Sequence, residues 1–441
     1  MSSTSYKLLL VSFYCEPGRG SEWGLGWSYV QEFSQTQPVW VLAHDCCRPG
    51  LEKYLAEKHT GHPVHVTYVK LPRWLEWMHN SYYSVFNVYY YLWQFVAGRA
   101  AVRLHKQTGL DLVQHVSLCR WWMPSAGVAL KKHGVGFIFG PVAGGEILPS
   151  KFRERSPMFS KVADGMRFIG RTIFRRDPFL VRTIRKADLI LAAIPAAERW
   201  LRKYGNPNVE MITPATCSNT ETLAAAQAAH DTRPTGQPFT FMSCGGLSYF
   251  RGVDLSLKAF AKANLPNAQY VHVCDGPQRV VLEQLARDLG IEDRVIFTGD
   301  MPHIECVKRV ATADVVVHTV LRDSEGVLPD VMHAGVPAIT MNHLTPALIV
   351  SKESGHLLHI DNDTSPQDII DELAGVMKQW YENPQLVAAK GRAAAERARM
   401  FEPASRGAAY RAYHTRVLSR VREGSAVPSH SPIAVAGATS E

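Results

Sequence analysis

The feature that most limits the possible folds of this chain is a strand-then-helix alternation that runs through the sequence twice. In the first half, short apolar stretches at 7–13 and 110–116 alternate with helical segments, and in the second half stretches at 239–244 and 315–319 do the same. Alternation of this length is typical of a parallel, doubly wound sheet. We therefore predict an α/β fold with two Rossmann-like domains.

Between the two sets the alternation stops, and proline, glycine, serine and threonine become frequent. Such a composition is typical of a linker. We predict five segments: an N-terminal domain over 1–212, a linker over 213–238, a C-terminal domain over 239–400, a helix over 401–423 that packs back on the N-terminal domain, and a disordered tail over 424–441.

Composition argues against a membrane-spanning protein and against a zinc-binding one. Apolar residues make up 46% and charged residues 20%, which is ordinary for a globular chain. We find neither a leader peptide nor a run of apolar residues long enough to span a membrane. The eight cysteines form no C-x-x-C pair and have no zinc spacing, so we expect buried reduced thiols, no metal and a cytoplasmic location.

Two stretches of the first half suit a membrane surface. Residues 151–187 hold eleven Lys/Arg against three acids, an excess that equals the +8 of the whole chain. Residues 74–95 hold ten aromatics, and Tyr and Trp suit an interface. We expect peripheral contact with anionic lipid at the inner face of the membrane, unless the aromatics are core and the charges a solvated face. No nucleic-acid-binding motif accompanies the charge.

Three segments of the first half follow predicted strands, where ligands of open α/β sheets bind. The loop at 16–24 carries Gly20 and Ser21 before a helix, and such a loop can approach a phosphate. His115 ends the strand at 110–116 and can bind a sugar hydroxyl. A third segment, 140–146, is again rich in glycine. Each of these also fits a turn without a ligand or a core histidine.

Two segments of the second half suit a nucleotide. Arg251 follows Gly245-Gly246 and precedes a helix, where a guanidinium can grip a diphosphate. Further along, three carboxylates and a glycine surround a second helix start, although a surface arginine and an N-cap are the simpler alternatives. These residues are Asp323, Glu325, Gly326 and Asp330. The first-half loop lacks G-x-G-x-x-G spacing, which argues against a dinucleotide-dependent oxidoreductase.

Together these segments resemble glycosyltransferase family 4, whose members are retaining enzymes with the GT-B fold. The resemblance covers about 400 residues in order. It includes Gly20-Ser21-Glu22, Gln114-His115-Val116, Gly140-Pro141, Cys244-Gly245-Gly246-Leu247, Cys274-Asp275-Gly276-Pro277 and Asp323 to Asp330. It implies two Rossmann-like domains facing each other across a cleft. A UDP- or GDP-linked sugar would bind mainly to the C-terminal half, and a glycan or lipid-linked acceptor to the N-terminal half.

The resemblance also implies roles for individual residues. His115, Asp323 and Glu325 would be catalytic, and the donor would be bound by Gly20, Ser21, Arg251, Gly326 and Asp330. It implies transfer without a metal or other cofactor, in polysaccharide or glycolipid assembly.

Two departures from the family keep a second hypothesis open. Gly246 stands where the family has an arginine, and the acidic loop before Asp330 is one residue short. Which of Asp323 and Glu325 meets the sugar is therefore open. The alternative function is a catalytically weak or silent nucleotide-sugar-binding scaffold of a glycan-assembly complex.

Overall fold

The computed structural model describes residues 6–19, 21–81, 83–144, 149–154, 165, 172, 176–322 and 326–424. These residues fall into two compact units. The first unit combines the described parts of 1–145 and 162–214 with residues 406–424, and the second combines 149–154 with the described parts of 215–405.

The first unit contains a seven-stranded parallel sheet in the order β3-β2-β1-β4-β5-β6-β7. Strands β1, β4, β5 and β6 are buried along their whole length, as expected for a sheet covered on both faces. The strands are β1 Leu8–Ser12, β2 Val39–His44, β3 Val64–Val69, β4 Leu112–Ser117, β5 Gly136–Val142, β6 Leu189–Ala192 and β7 Val209–Met211.

Helices connect these strands and flank the sheet. The described α-helices are Ser21–Ser34, Arg48–Glu57, Tyr83–Thr108, Pro178–Lys186, Pro195–Arg202 and Pro403–Glu423, and the 3-10 helices are Asp45–Cys47, Arg73–Met78 and Ala126–His133. In the described part of the chain, no helix is both long and apolar enough to cross a bilayer.

The aromatic stretch 74–95 is mostly core, not a membrane-facing surface. Phe86, Tyr89, Tyr90 and Trp93 are buried, because their spacing of three and four residues places them on one face of the helix Tyr83–Thr108. The prediction of an aromatic interface is therefore wrong for these four side chains. It remains open for the 3-10 helix before them, and 19 of the 37 residues of the basic stretch lie outside the described residues.

The C-terminal helix Pro403–Glu423 is built into the first unit. Its His414 is fully buried and lies between Tyr6 Oη and Gln114 Oε1, at 2.7 Å from each. Tyr410 Oη is 2.9 Å from Tyr29 Oη. The last helix thereby completes the core on one face of the sheet.

The second unit contains a six-stranded parallel sheet in the order β10-β9-β8-β11-β12-β13. The strands are β8 Phe239–Cys244, β9 Ala268–Val273, β10 Val295–Phe297, β11 Val315–His318, β12 Ala338–Met341 and β13 Gly355–Leu358. The chain leaves β8 toward β9 and later returns to its other side with β11, so the order reverses at β8. Ligands of doubly wound sheets bind at such a reversal.

The described helices of this unit connect its strands and flank the sheet. The α-helices are Ser150–Glu154, Thr220–Asp231, Val253–Ala263, Arg279–Asp288, His303–Ala311, Leu328–His333, Leu344–Ile349, Pro366–Glu382 and Pro384–Ala398, and the 3-10 helices are Tyr249–Arg251, Glu292–Arg294 and Arg399–Phe401.

Two predicted boundaries differ from the structure. The predicted linker 213–238 contains the helix Thr220–Asp231, which is capped by the Asn219 side chain and buries Leu223 and Ala226 in the second core. Five of the twelve residues of this helix are alanine, the strongest helix former, so the segment's own propensity favours a helix. Residues 149–154, predicted to belong to the first domain, join the second unit, where Phe152 is buried and its carbonyl accepts from Tyr249 Oη at 3.0 Å.

Candidate functional site

The loop after β8 holds the Arg251 side chain close to the sheet edge. Gly245 has φ +120°, and a Cβ there would lie 2.7 Å from Arg251 Cζ. Only glycine therefore lets the guanidinium pack against this backbone. Burial lowers the pKa of Arg251 from its ordinary value, and the nearby thiols of Cys244 and Cys274 act in the opposite direction.

Hydrogen bonds connect the same loop to the residue that follows β11. Thr319 Oγ1 is 3.2 Å from the Arg251 carbonyl and 2.9 Å from the Gly252 carbonyl. A Cβ on Gly252, at φ +64°, would lie 2.3 Å from the Thr319 carbonyl oxygen. Arg322, four residues after β11, lies over the Phe250 ring at 5.5 Å. Two guanidinium groups are thus held on the loops that leave the two central strands.

A buried hydrogen-bond chain that the sequence did not indicate supports this loop. Tyr270 Oη donates to Ser243 Oγ, which is 2.7 Å from His272 Nδ1, and His272 Nε2 is 2.8 Å from the Gly245 carbonyl. Burial lowers the pKa of His272 to about 4, so the ring is neutral and its Nε2–H donates to the loop. His272 lies within the buried strand β9, so its neighbours in sequence indicate only a strand position.

Three cysteines meet at the same edge. The Sγ atoms of Cys244 and Cys274 are 3.9 Å apart, and those of Cys274 and Cys306 are 3.7 Å apart. Hydrogen bonds from its two neighbours lower the pKa of Cys274, and the bond to Cys274 raises that of Cys244. From the sequence we predict only buried, reduced thiols for these residues.

The predicted acidic loop is described only in part. Asp323 and Glu325 lie outside the described residues, so their catalytic roles stay predictions. Gly326 has φ +56°, and a Cβ there would lie 3.4 Å from His318 Cε1, which places it beside the end of β11. The helix that follows, Leu328–His333, has only six residues.

Asp330 is buried and already has a partner. It is 3% exposed, and its two oxygens accept from the Ser218 backbone N–H and hydroxyl at 2.5 and 2.9 Å. Burial raises the pKa of Asp330, while these hydrogen bonds act against the rise. The structure thus gives Asp330 a structural role, and its predicted role in binding the ribose of the donor stays a prediction.

In the first unit, His115 lies in the interior behind the end of β4. Its Nδ1 is 2.9 Å from Ser125 Oγ, and its Nε2 is 2.9 Å from Tyr90 Oη and 3.1 Å from the Ser117 carbonyl. Burial lowers the pKa of His115 to about 4. The side chain is a neutral, fully hydrogen-bonded group, and contact with a sugar stays a prediction.

The loop after β1 lies beside the end of β4. Gly20 is outside the described residues, and Ser21 begins the helix Ser21–Ser34. The Glu22 carboxylate accepts from the Leu118 backbone N–H at 3.3 Å. Gly144, from the third predicted segment, accepts from Trp121 Nε1 at 2.7 Å. The predicted first-half segments therefore gather along one edge of one sheet.

Comparison with known proteins bears on the second unit first. Residues 227–397 match the family model "Glycosyl transferases group 1". A curated relative, N-acetyl-alpha-D-glucosaminyl L-malate synthase of Bacillus anthracis, is 32% identical over 115 residues. That match covers 25% of this chain and 30% of the relative, so the chain matches less than a third of that protein's length.

Solved structures match nearly the whole chain. Anabaena Alr3699/HepE in complex with UDP is 17% identical, with a TM-score of 0.57 over 95% of this chain and 99% of that one. WaaG, a glycosyltransferase involved in lipopolysaccharide biosynthesis, is 15% identical, with a TM-score of 0.56 over 89% of this chain and 95% of that one. The predicted α/β fold of the GT-B class is confirmed.

Proposed function

We propose that this chain is a retaining, family 4 glycosyltransferase that moves a sugar from a nucleotide-sugar donor to a glycan or lipid-linked acceptor. The observation that carries the proposal is the Arg251 guanidinium, held against Gly245 where the strand order reverses, inside the stretch that matches glycosyl transferases group 1.

The donor half of the proposal follows from charge. Arg251 and Arg322 lie on loops from adjacent strands, and each guanidinium carries the paired donors that match phosphate geometry. Such cations stabilise the charge that builds on the departing diphosphate, which is catalysis by preorganised electrostatics. Because HepE has been solved with UDP, we propose a UDP-linked sugar, before a GDP-linked one, as the donor.

For the other site residues we propose the roles that the resemblance to family 4 implies. His115 would orient the transferred sugar, and Asp323 or Glu325 would accept hydrogen bonds from its hydroxyls. Gly20, Ser21 and Gly326 would let backbone N–H groups approach the donor. We propose that transfer needs no metal, so a chelator should leave turnover unchanged.

We also propose that the first unit contacts an anionic membrane surface from the cytoplasmic side, where a lipid-linked acceptor would be presented. The support is the 3-10 helix Arg73–Met78, whose Trp74 and Trp77 are 73% and 63% exposed. Exposed tryptophans insert readily at a lipid interface.

The first experiment is calorimetry of the purified chain with UDP, GDP and ADP, followed by transfer assays with the sugar nucleotides of whichever base binds. We expect UDP to bind and UDP-sugars to turn over in the presence of EDTA. Absence of binding by all three nucleotides would overturn the donor proposal.

The second candidate, a silent scaffold, rests on Gly246, where the family has an arginine. Among the described residues, the heavy atom within 4 Å of a Cβ placed there is the Asp275 carbonyl oxygen, at 3.7 Å. Tight UDP binding with neither transfer nor hydrolysis of a panel of UDP-sugars would favour the scaffold. Restoring turnover with Gly246→Arg would show that the missing cation is the reason.

A further inference from the structure

Three thiols of the second unit converge from three separate elements. Cys244 ends β8, Cys274 follows β9, and Cys306 lies in the helix His303–Ala311. Their Sγ atoms all lie within 4.8 Å of one another. Thiols drawn from positions 30 and 32 residues apart meet only because the fold brings them together, and the cluster is outside the set of residues proposed for glycosyl transfer.

We propose that Cys244, Cys274 and Cys306 bind a zinc ion, with the fourth coordination position open to solvent. A zinc–thiolate bond is about 2.3 Å long, so two thiolates at corners of a tetrahedron lie about 3.8 Å apart. The two measured Sγ–Sγ distances, 3.9 and 3.7 Å, match this spacing. Thiolates are the ligands that soft and borderline metals prefer.

The backbone of Cys274 is consistent with a built site. Its φ is +93°, a conformation that residues other than glycine rarely adopt. Strain of this kind persists where the surroundings impose it, and it is frequent at functional sites. Cys306 is buried, while Cys244 and Cys274 are half-buried, so an ion can enter from the open side of the cluster.

Charge and protons balance in the bound state. Each thiol that binds gives up its proton to solvent, and Zn²⁺ takes its place. Three thiolates and one divalent ion carry a net charge of about one minus. Arg251, whose guanidinium packs against Gly245 and interacts electrostatically with Cys244 and Cys274, supplies the compensating positive charge.

A second group of possible metal ligands lies in the first unit, but its histidine nitrogens already make hydrogen bonds. His44, Cys46 and His79 also lie within 4.8 Å of one another. However, His44 Nδ1 accepts from the Cys46 backbone N–H at 3.2 Å, and His44 Nε2 is 2.6 Å from Tyr89 Oη. Both ring nitrogens are engaged, so this group supports no metal site.

The test uses the full chain, reduced and stripped of metal with a chelator. Titration with Zn²⁺ should show one ion bound per chain with release of protons, and titration with Cd²⁺ should produce the ultraviolet absorption of thiolate-to-cadmium charge transfer. Cys306→Ser should weaken binding at least about tenfold, since one of three thiolates is lost. Cys217→Ser is the matched control, because Cys217 is buried in the same unit but outside the cluster.

Cys46→Ser should also leave the cadmium signal unchanged, which separates the two cysteine-containing groups. Circular dichroism checks that each variant folds, and Cys244→Ser replaces Cys306→Ser if the latter does not. Absence of cadmium absorption in the reduced parent, or an undiminished signal in a folded cluster variant, would overturn the proposal. Arg251 is common to both proposals, so UDP calorimetry on the metal-free chain tests the proposed glycosyl transfer separately from these results.

Discussion

The Asp330 carboxylate accepts both hydrogen bonds that Ser218 can donate, at 2.5 Å from the backbone N–H and 2.9 Å from the hydroxyl. Ser218 Oγ is also 3.1 Å from His303 Nε2. This pair ties the segment before the helix Thr220–Asp231 to the start of the helix Leu328–His333. A carboxylate placed in this way has a structural function whether or not it also meets the ribose of a nucleotide.

Asp330→Ala should lower the stability of the second unit by about 1–3 kcal/mol, because it leaves the partly buried Ser218 backbone N–H without its acceptor. Ser218→Ala, which removes only the hydroxyl, should cost about 1 kcal/mol. Urea and thermal unfolding measure both. A parent-like midpoint for Asp330→Ala would contradict the structural role, and unchanged UDP affinity in folded Asp330→Asn would exclude the ribose contact.

Arg251→Ala should weaken UDP binding by about 10- to 150-fold, the equivalent of about 1.5–3 kcal/mol for a hydrogen bond to a charged group. UMP affinity should change much less, because the diphosphate is what the guanidinium holds. Arg233→Ala is the control, since Arg233 pairs with Asp314 before β11, at the opposite edge of the sheet. The measurement is calorimetry with UDP and UMP. Equal losses of affinity for both nucleotides would show that Arg251 does not bind the diphosphate.

His115→Ala should lower turnover more than it lowers UDP affinity if the imidazole orients the transferred sugar. It should also cost about 1–3 kcal/mol of stability, because Ser125 and Tyr90 lose a buried partner. Ser125→Ala serves as the control, since it disturbs the ring without removing it. Steady-state kinetics beside UDP calorimetry distinguish the roles: parallel losses in both would make His115 purely structural.

Stability should fall as the pH drops below about 6.5. Burial lowers the pKa of His414 to about 3 and that of His115 to about 4, so between those values and 6.5 the unfolded chain binds protons that the folded chain does not. The free energy of unfolding changes by at most about 1.4 kcal/mol per pH unit for each such histidine. Urea midpoints from pH 7.5 to 4.5 measure it.

Trp74→Ser with Trp77→Ser should reduce co-sedimentation with anionic vesicles at low salt. The expected loss is severalfold, because two exposed indole rings no longer reach the interface. Val280→Ser with Val281→Ser, which removes two exposed apolar side chains of the second unit, is the matched control. Equal binding of the parent to neutral and anionic vesicles at every salt concentration would refute electrostatic attachment.

The sequence predicts the sheets well because each central strand is buried on both faces and stands out as an apolar run. β1 and β4 are examples, buried at every position. The same logic was available for the aromatic stretch: Phe86, Tyr89, Tyr90 and Trp93 follow the helical spacing of a core face. Composition alone suggested an interface, and only periodicity distinguishes the two.

The candidate site was predictable only where a motif is local. Arg251 stands beside the glycines that hold it, so its placement followed from neighbours in sequence. Cys306 and Ser218 gave no such signal, because their partners Cys274 and Asp330 are 32 and 112 residues away. Contacts of this kind depend on which strands become neighbours, and strand order is not encoded in any short segment.

The packing of the helix Pro403–Glu423 against Tyr29 and Gln114 has a consequence for biosynthesis. Roughly 190 residues separate the end of the seven-stranded sheet from the helix that covers it. At about 5–20 residues per second, the ribosome needs roughly 10–40 seconds to make them. During that interval the part of the second unit that follows the linker is synthesised, while the nascent first unit keeps an uncovered apolar face that a chaperone can hold.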